Sequence, residues 1–248
     1  MPMEPFERGE KRKLVHCARH RVGTVWFRRV LGAVSDRFGL RMQVRRSPAI
    51  DPTADVIYNF RANYPLDAIG PFRASHIIRD PRDIAVSGYH YHLWTQERWV
   101  HAPREEYGGK TYQQYLNSVD AEEGLAAEIT RLAGKLYKGM AAWDYHQAGF
   151  LELRYEDVIA DEPMWFAKLF RHYGFTSEAV EESVAIAEQF TFAKVTGRKL
   201  GDLEKGSHLR SGRHGQWQEA FSPTNKELFK SLTGDLLVRL GYEKDGDW

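Results

Sequence analysis

The feature that most constrains this chain is a short apolar run that passes without a break into a helix carrying its own start signals. "ASHIIR", residues 74–79, leads directly into "DPRDIAVSGYHYH". Asp80 suits the N-cap, Pro81 the first helical position, and Asp83 the positive end of the helix dipole. The same order appears near the start of the chain. Leu14-Val15-His16-Cys17 precedes "WFRRVLGAVSDRFGL", where Phe27, Val30, Leu31, Val34 and Phe38 share one helical stripe and Gly39 stands at C′. "ADVIYNF" reads as another buried strand, and "GFLELRYEDV" as a strand with an exit loop. Strands alternating with helices imply an α/β chain, a three-layer α/β/α fold with a central parallel sheet. In such sheets ligands bind at the carboxyl ends of strands, at a switch point in the strand order. The turns after Cys17 and after Arg79 are both carboxyl ends.

Further helices follow from spacing and caps. "LAAEITRLAGKLYKGMAAW" puts Leu125, Ile129, Leu132 and Leu136 on one stripe, and "DEPMWFAKLFRHYG" starts at Asp161 and Pro163 and stops at Gly174. "SEAVEESVAIAEQF" is another helix, and "SPTNKELFKSLTGDLLVRLGY" closes the chain as one helix from Ser222 to Gly241. Residues 93–124 are aromatic, charged and punctuated by Pro-Arg and Gly-Gly, an irregular insertion over one edge of the domain. "TGRKLGDLEKGSHLRSGRHGQW" is a Gly-rich, basic loop. At 248 residues without internal repeats, one domain over 1–248 is expected.

The composition, 42% hydrophobic and 28% charged, supports a sizeable core. A formal net charge of +1 argues against a general nucleic-acid binder. Yet residues 1–50 hold 12 Lys and Arg against 4 Asp and Glu, either a solvated basic face or a basic pocket for an anionic small molecule. The lone Cys17, inside an apolar run, reads as a packed small hydrophobe, and the chain needs no oxidising compartment. No apolar run is long enough to span a membrane and no signal-peptide core is visible, so a soluble, cytoplasmic protein without a transmembrane segment is expected. His16, Cys17 and His20 straddle a strand end, and His90 with His92 reads as aromatic packing, so no metal site is expected.

Four segments could meet one ligand. The loop "HRVGTVW" offers backbone amides around Gly23, the Thr24 hydroxyl and the fixed charge of Arg21 to an anion. Arg79 ends a strand and Ser87 lies eight residues on, so a cation and a hydroxyl could share one phosphate. "LRYEDV" puts Tyr155 and two carboxylates at a third strand end, and "RSGRHGQW" combines Arg210, Arg213 and two glycines. Read singly, each is also compatible with a structural role, such as Arg79 satisfied by Asp80 or Asp83.

Together and in this order, the four segments resemble the 3′-phosphoadenosine 5′-phosphosulfate (PAPS)-dependent sulfotransferases, a family with a P-loop-like fold. In that family a loop resembling Pro-Lys-Ser-Gly-Thr-Thr-Trp grips the 5′-phosphosulfate; here it stands as His20-Arg21-Val22-Gly23-Thr24-Val25-Trp26. The family's strand-end Arg and the Ser eight residues later, which bind the 3′-phosphate, match Arg79 and Ser87. The Tyr of its Tyr-Glu-Asp segment, a cofactor contact, falls on Tyr155. Its late Arg-Lys-Gly-x-x-Gly-Asp-Trp loop, which clamps the 3′-phosphate, corresponds to Arg210-Ser211-Gly212-Arg213-His214-Gly215-Gln216-Trp217. Phe192 falls near an aromatic that packs on the adenine. The resemblance spans roughly residues 12–242.

The resemblance implies sulfuryl transfer from PAPS to a hydroxyl or amine of a small-molecule or glycan acceptor, with 3′-phosphoadenosine 5′-phosphate (PAP) as product and no metal. Arg21 stands where the family's catalytic Lys does, and His20 can supply a donor where the family has Pro. Val22 and Val25 replace hydroxyl-bearing residues. The family's basic His falls near Asn63 of "FRANYP", with Arg61 near its Lys; Asn is no base, so His76, His90, His92 or a carboxylate of the insertion would substitute. The insertion reads as an acceptor lid, a structural cap or the face of a homodimer. Two other functions stay open: a catalytically degenerate nucleotide-binding module, and a nucleoside-triphosphate kinase, against which the missing Gly-Lys-Ser/Thr counts.

Overall fold

The computed structural model describes residues 4–9, 11–45, 49–59, 69–204, 206–207 and 209–248. In chain order the elements begin with β1 (Lys13–Ala18), α1 (Thr24–Phe38), β2 (Met42–Arg45), β3 (Val56–Asn59), β4 (Phe72–Ile78) and α2 (Pro81–His92). The middle of the chain forms α3 (Tyr112–Leu116), α4 (Ala121–Leu132), α5 (Lys138–Ala141), β5 (Phe150–Arg154), α6 (Tyr155–Ala160) and α7 (Glu162–His172). The last elements are α8 (Ser177–Ala187), α9 (Phe192–Thr196), α10 (Trp217–Ala220), α11 (Pro223–Thr233) and α12 (Leu236–Arg239). Two compact units result, 1–79 with 144–198 and 80–143 with 199–248. "FRANYP", with Arg61 and Asn63, lies outside the described residues.

The first unit contains the whole sheet, five parallel strands in the order β2-β3-β1-β4-β5. The expected α/β fold with a parallel sheet flanked by helices is therefore present. From β1 the chain runs through α1 to the edge strand β2, returns to β3 beside β1 and then crosses to β4 on its other side, so the order reverses at β1 and its carboxyl end is the switch point. The α1 stripe forms as spaced: Phe27, Val30, Leu31, Val34 and Phe38 are all buried. Strand residues alternate between polar pairs of opposite faces. On one face Ser75 Oγ lies 2.7 Å from His16 Nδ1 and 2.6 Å from the Tyr173 hydroxyl. On the other, His76 Nδ1 lies 2.7 Å from Glu152 Oε2. Burial, with His76 nearby, lowers the His16 pKa to about 3, and burial also lowers that of His76.

In the second unit, Asp80 caps α2 by accepting the Arg82 N–H. Residues 93–124 are more ordered than their composition suggests. Two short 3-10 turns and α3 carry the rings of Trp99 and Tyr112 into a stack at 5.5 Å, beside a small core of Val100, Tyr112 and Leu116. Glu128 of α4 anchors this segment. It takes the Tyr112 hydroxyl at 2.6 Å, His92 Nδ1 at 3.0 Å and Arg131 Nη2 at 2.5 Å. Burial opposes its charge, but Arg131 and His92 outweigh that and hold the carboxyl well below the usual carboxylate range. Gly88 makes room for it: a Cβ there would lie 2.2 Å from Glu128 Oε1.

Four readings of the sequence are corrected. The α4 stripe breaks after Leu132, because residues 133–137 form a π turn. The wider turn shifts the inward face by one residue, so Tyr137 and Met140 are buried and Leu136 is only partly so. Tyr155–Val158 is not an exit loop but opens α6. The last helix is two, α11 and α12, separated at Gly234 (φ 56°, ψ −125°). The edge strand β2 went unread: Val44 is 45% exposed, and a four-residue edge strand carries too little apolar signal.

Candidate active site

At the switch point the chain turns through residues 19–23. Arg21 takes φ 64°, the sole positive φ on a non-glycine residue among those described, a conformation costing an L-residue about 1–2 kcal/mol. Gly23 follows at φ 87° and starts α1 with no side-chain cap and no acidic residue in the first turn. The amide end of a 15-residue helix thus has no carboxylate of its own in its first turn. The Tyr58 hydroxyl donates to the Thr24 carbonyl at 2.7 Å and ties the helix start to β3. Val22 is buried, 1% exposed. Trp26 packs edge-on against Phe27 and Phe166, both at 5.3 Å.

Two more strand ends converge on this loop. Arg79, one residue beyond β4, donates from Nη1 to the Arg21 carbonyl at 3.3 Å. Its guanidinium lies 4.6 Å from the ring centre of Tyr155, the first residue after β5. That ring in turn lies against the loop, since a Cβ on Gly23 would come within 3.4 Å of it. Arg21, Gly23, Arg79 and Tyr155, from three segments far apart in sequence, therefore form one contact cluster at the carboxyl ends of β1, β4 and β5. Arg79 and Tyr155 are both buried, so their pairing is shielded from water. Phe192 opens α9 with the Arg198 guanidinium 5.1 Å from its ring.

In the second unit Ser87 sits on α2, 8% exposed. Arg210 bonds to Gln216, Ser211 is buried, and Gly212 takes φ 70°. The two aspartates read as possible partners for Arg79 both make bonds within the second unit. Asp80 binds Arg82 through two bonds of 3.0 and 2.8 Å. Asp83 accepts the backbone N–H groups of Gly215 at 2.6 Å and Trp217 at 3.1 Å. Sequence reading missed this anchor, because a first-turn Asp already has a sufficient local explanation at the helix dipole.

Of the histidines considered as bases, His76 and His92 are enclosed, each 0% exposed and held by a carboxylate. They belong to the packing rather than to an accessible surface. His90 is partly exposed beside the Tyr89 ring at 5.1 Å. Burial, then Glu152, pushes the Cys17 thiol up to about 12, as suits a packed small side chain. Among the described residues no group of three or more His, Cys, Asp or Glu is arranged for a metal, and no helix is long and apolar enough to cross a membrane.

Comparison with known proteins bears on this geometry. Residues 74–241 match the family model described as the sulfotransferase domain; the match opens inside β4, downstream of the 19–23 loop. Sulfotransferase 2A1 from Homo sapiens is 24% identical over 179 residues, covering 68% of this chain and 57% of the relative. The same protein from Macaca fascicularis is 25% identical with the same coverage, so the matched stretch spans little more than half of either relative. Among solved structures, mouse sulfotransferase SULT7A1 complexed with PAP superposes with a TM-score of 0.60 at 16% identity, over 94% of this chain and 86% of that one. Retinol dehydratase in complex with androsterone and the inactive cofactor PAP gives 0.55 at 18% identity, over 96% and 82%. These likenesses establish a shared P-loop-like fold, and the family match, spanning well over half of the sequence, identifies the chain as a member of the sulfotransferase family.

Proposed function

We propose that this chain transfers a sulfuryl group from PAPS to a hydroxyl or amine of a small-molecule or glycan acceptor, releasing PAP, in the cytoplasm. The observation that carries the reading is the cluster at three strand ends, with Arg79 3.3 Å from the Arg21 carbonyl and 4.6 Å from the Tyr155 ring. A shielded guanidinium beside an uncapped helix start suits a nucleotide bearing phosphates at both ends.

In this reading Thr24 and the amides around Gly23 hold the 5′-phosphate, while Val22, Val25 and Trp26 form the apolar part of the loop. Arg79 and Tyr155 bind the nucleotide. The resemblance adds Ser87, Arg210, Ser211 and Gly212 at the 3′-phosphate and Phe192 at the adenine, assignments that rest on sequence. As the acceptor atom bonds to sulfur, the bond from sulfur to the bridging oxygen breaks and charge collects on that oxygen. Arg21 neutralises it and His20 offers a donor beside it, so positioning and electrostatics supply the catalysis. The acceptor proton leaves to His90 or to a carboxylate of residues 93–124, which we propose as the acceptor lid.

The retinol and androsterone complexes of retinol dehydratase support apolar alcohols as the first acceptors to test. Mass-detected transfer from PAPS across alcohols, phenols, amines and glycans tests the reading, with sulfated product and stoichiometric PAP expected. Val22, enclosed and unable to donate, favours a second reading as a nucleotide-binding module without turnover. PAP binding without transfer to any acceptor class would support it.

A further inference from the structure

The 210–217 loop is held from behind by side chains to which the four motifs assign no role. Asp83 takes the amides of Gly215 and Trp217. Its neighbour Arg82 is 2% exposed, and its guanidinium lies 3.6 Å from the ring centre of Trp217 and 4.5 Å from that of Trp248. Asp80 matches the charge from one side and Glu243 from another, at 2.5 Å. Trp248 meets Trp217 edge-on at 5.5 Å and Phe229 at 5.7 Å. Lys226 and Lys230 lie over the same two indoles, at 5.8 Å from Trp217 and 5.3 Å from Trp248.

This arrangement has a consequence for what the loop can offer a ligand. Successive amides in a glycine-bearing loop form an anion-binding concavity, but here an internal carboxylate takes the two at Gly215 and Trp217. At the other end of the loop stand Arg210, Ser211 and Gly212, which the resemblance assigns to the ligand. Their placement follows from Gln216, which accepts from Arg210 and donates to the Arg213 carbonyl at 2.9 Å. Gln216 lies between the two residues whose amides Asp83 holds. A buried Arg stacked on Trp217 and Trp248 fixes the far end of the same turn.

We infer that Trp248, Arg82 and Asp83 are positioning residues that hold the 210–217 loop, and through it set the preference for nucleotides carrying a 3′-phosphate. The inference rests on the proposed assignment of Arg210, Ser211 and Gly212 to that phosphate. Calorimetric titration with PAP and with adenosine 5′-phosphate, at one salt concentration, gives the ratio of the two affinities for wild type, Trp248→Ala, Trp248→Phe and Asp83→Asn. A charged hydrogen bond that is lost or misaligned corresponds to about a tenfold fall in that ratio or more, expected in Trp248→Ala and Asp83→Asn with adenosine 5′-phosphate affinity unchanged. Trp248→Phe, which keeps a ring on Arg82, restores most of it. A general loss of stability would weaken both nucleotides alike and would leave the ratio alone. A folded Trp248→Ala variant with the wild-type ratio overturns the inference; should that variant not fold, an unchanged ratio in Asp83→Asn overturns it equally. A wild type that does not distinguish the two nucleotides refutes the loop assignment itself.

Discussion

Replacing Arg79 by Ala removes the centre of the strand-end cluster, and two effects follow that can be measured apart. In the free protein the variant loses the bond to the Arg21 carbonyl, which at 3.3 Å is long and is worth no more than about 0.5–1 kcal/mol. It also loses the contact with the Tyr155 ring, worth about 1–2 kcal/mol for a pair shielded as this one is. Thermal unfolding without ligand should therefore show a modest loss. Binding is affected more. Loss of a charged hydrogen bond to phosphate costs about 1.5–3 kcal/mol, which weakens PAP by about 10- to 150-fold. Arg79→Lys should fall between, because the ammonium keeps the charge but loses the planar fork and its fit to the ring. Calorimetry with PAP, well below the unfolding temperature and at fixed salt, reads the binding term. Affinity within about twofold of wild type in Arg79→Ala would place Arg79 outside the nucleotide site and remove the main support for the proposed function.

Four further outcomes are expected. Arg21→Lys should retain or raise turnover, and Arg21→Ala should lose it with less effect on PAP affinity than Arg79→Ala; equal rates in all three proteins would take Arg21 away from the chemistry. Because Arg21 has φ 64°, Arg21→Gly should be at least as stable as Arg21→Ala, reversing the usual order of about 0.5–1 kcal/mol, and urea unfolding of the pair checks it. Gly88→Ala should destabilise the second unit by about 2–4 kcal/mol, because the added methyl meets a buried carboxylate that His92, Tyr112 and Arg131 hold in place; thermal unfolding within about 0.5 kcal/mol of wild type would contradict that. Burial raises the Glu162 carboxyl from 4.5 to about 7, so its protonated form is favoured in the folded state. Its contribution to stability is full below the unfolded value and is lost as pH rises through the folded one. Glu162→Gln should therefore flatten the fall in melting temperature over that range and melt above wild type at about pH 8.

Much of the fold was legible because its signals are local. The α1 stripe needs only spacing. Asp80, Asp161 and Ser222 cap helices through backbone N–H groups two or three residues away, so each cap is complete within a few residues of sequence. The contact of Arg79 with Tyr155 was not read, since nothing local links a strand-end Arg to a Tyr 76 positions later; family order suggested only that both meet one ligand. What stayed hidden depends on partners far along the chain. Glu128 sits between Leu125 and Ile129 and reads as a solvated acid, yet it is the fully buried anchor of residues 93–124. Asp83 reads as a helix-dipole residue, and its hold on the 210–217 loop spans 132 positions to Gly215. The π turn at 133–137 carries no compositional mark, and a regular period run through it assigns the wrong inward residue.

The proposed function requires a site built for a 3′-phosphorylated nucleotide rather than a triphosphate. A thermal-shift comparison of PAP with ATP and magnesium tests it directly. A ligand that binds only the folded state at a hundred times its Kd adds about 2.7 kcal/mol, which for a chain of this size raises the melting temperature by roughly 5–10 °C. PAP should produce such a shift and ATP with magnesium should not. A larger shift with ATP and magnesium than with PAP would contradict the account.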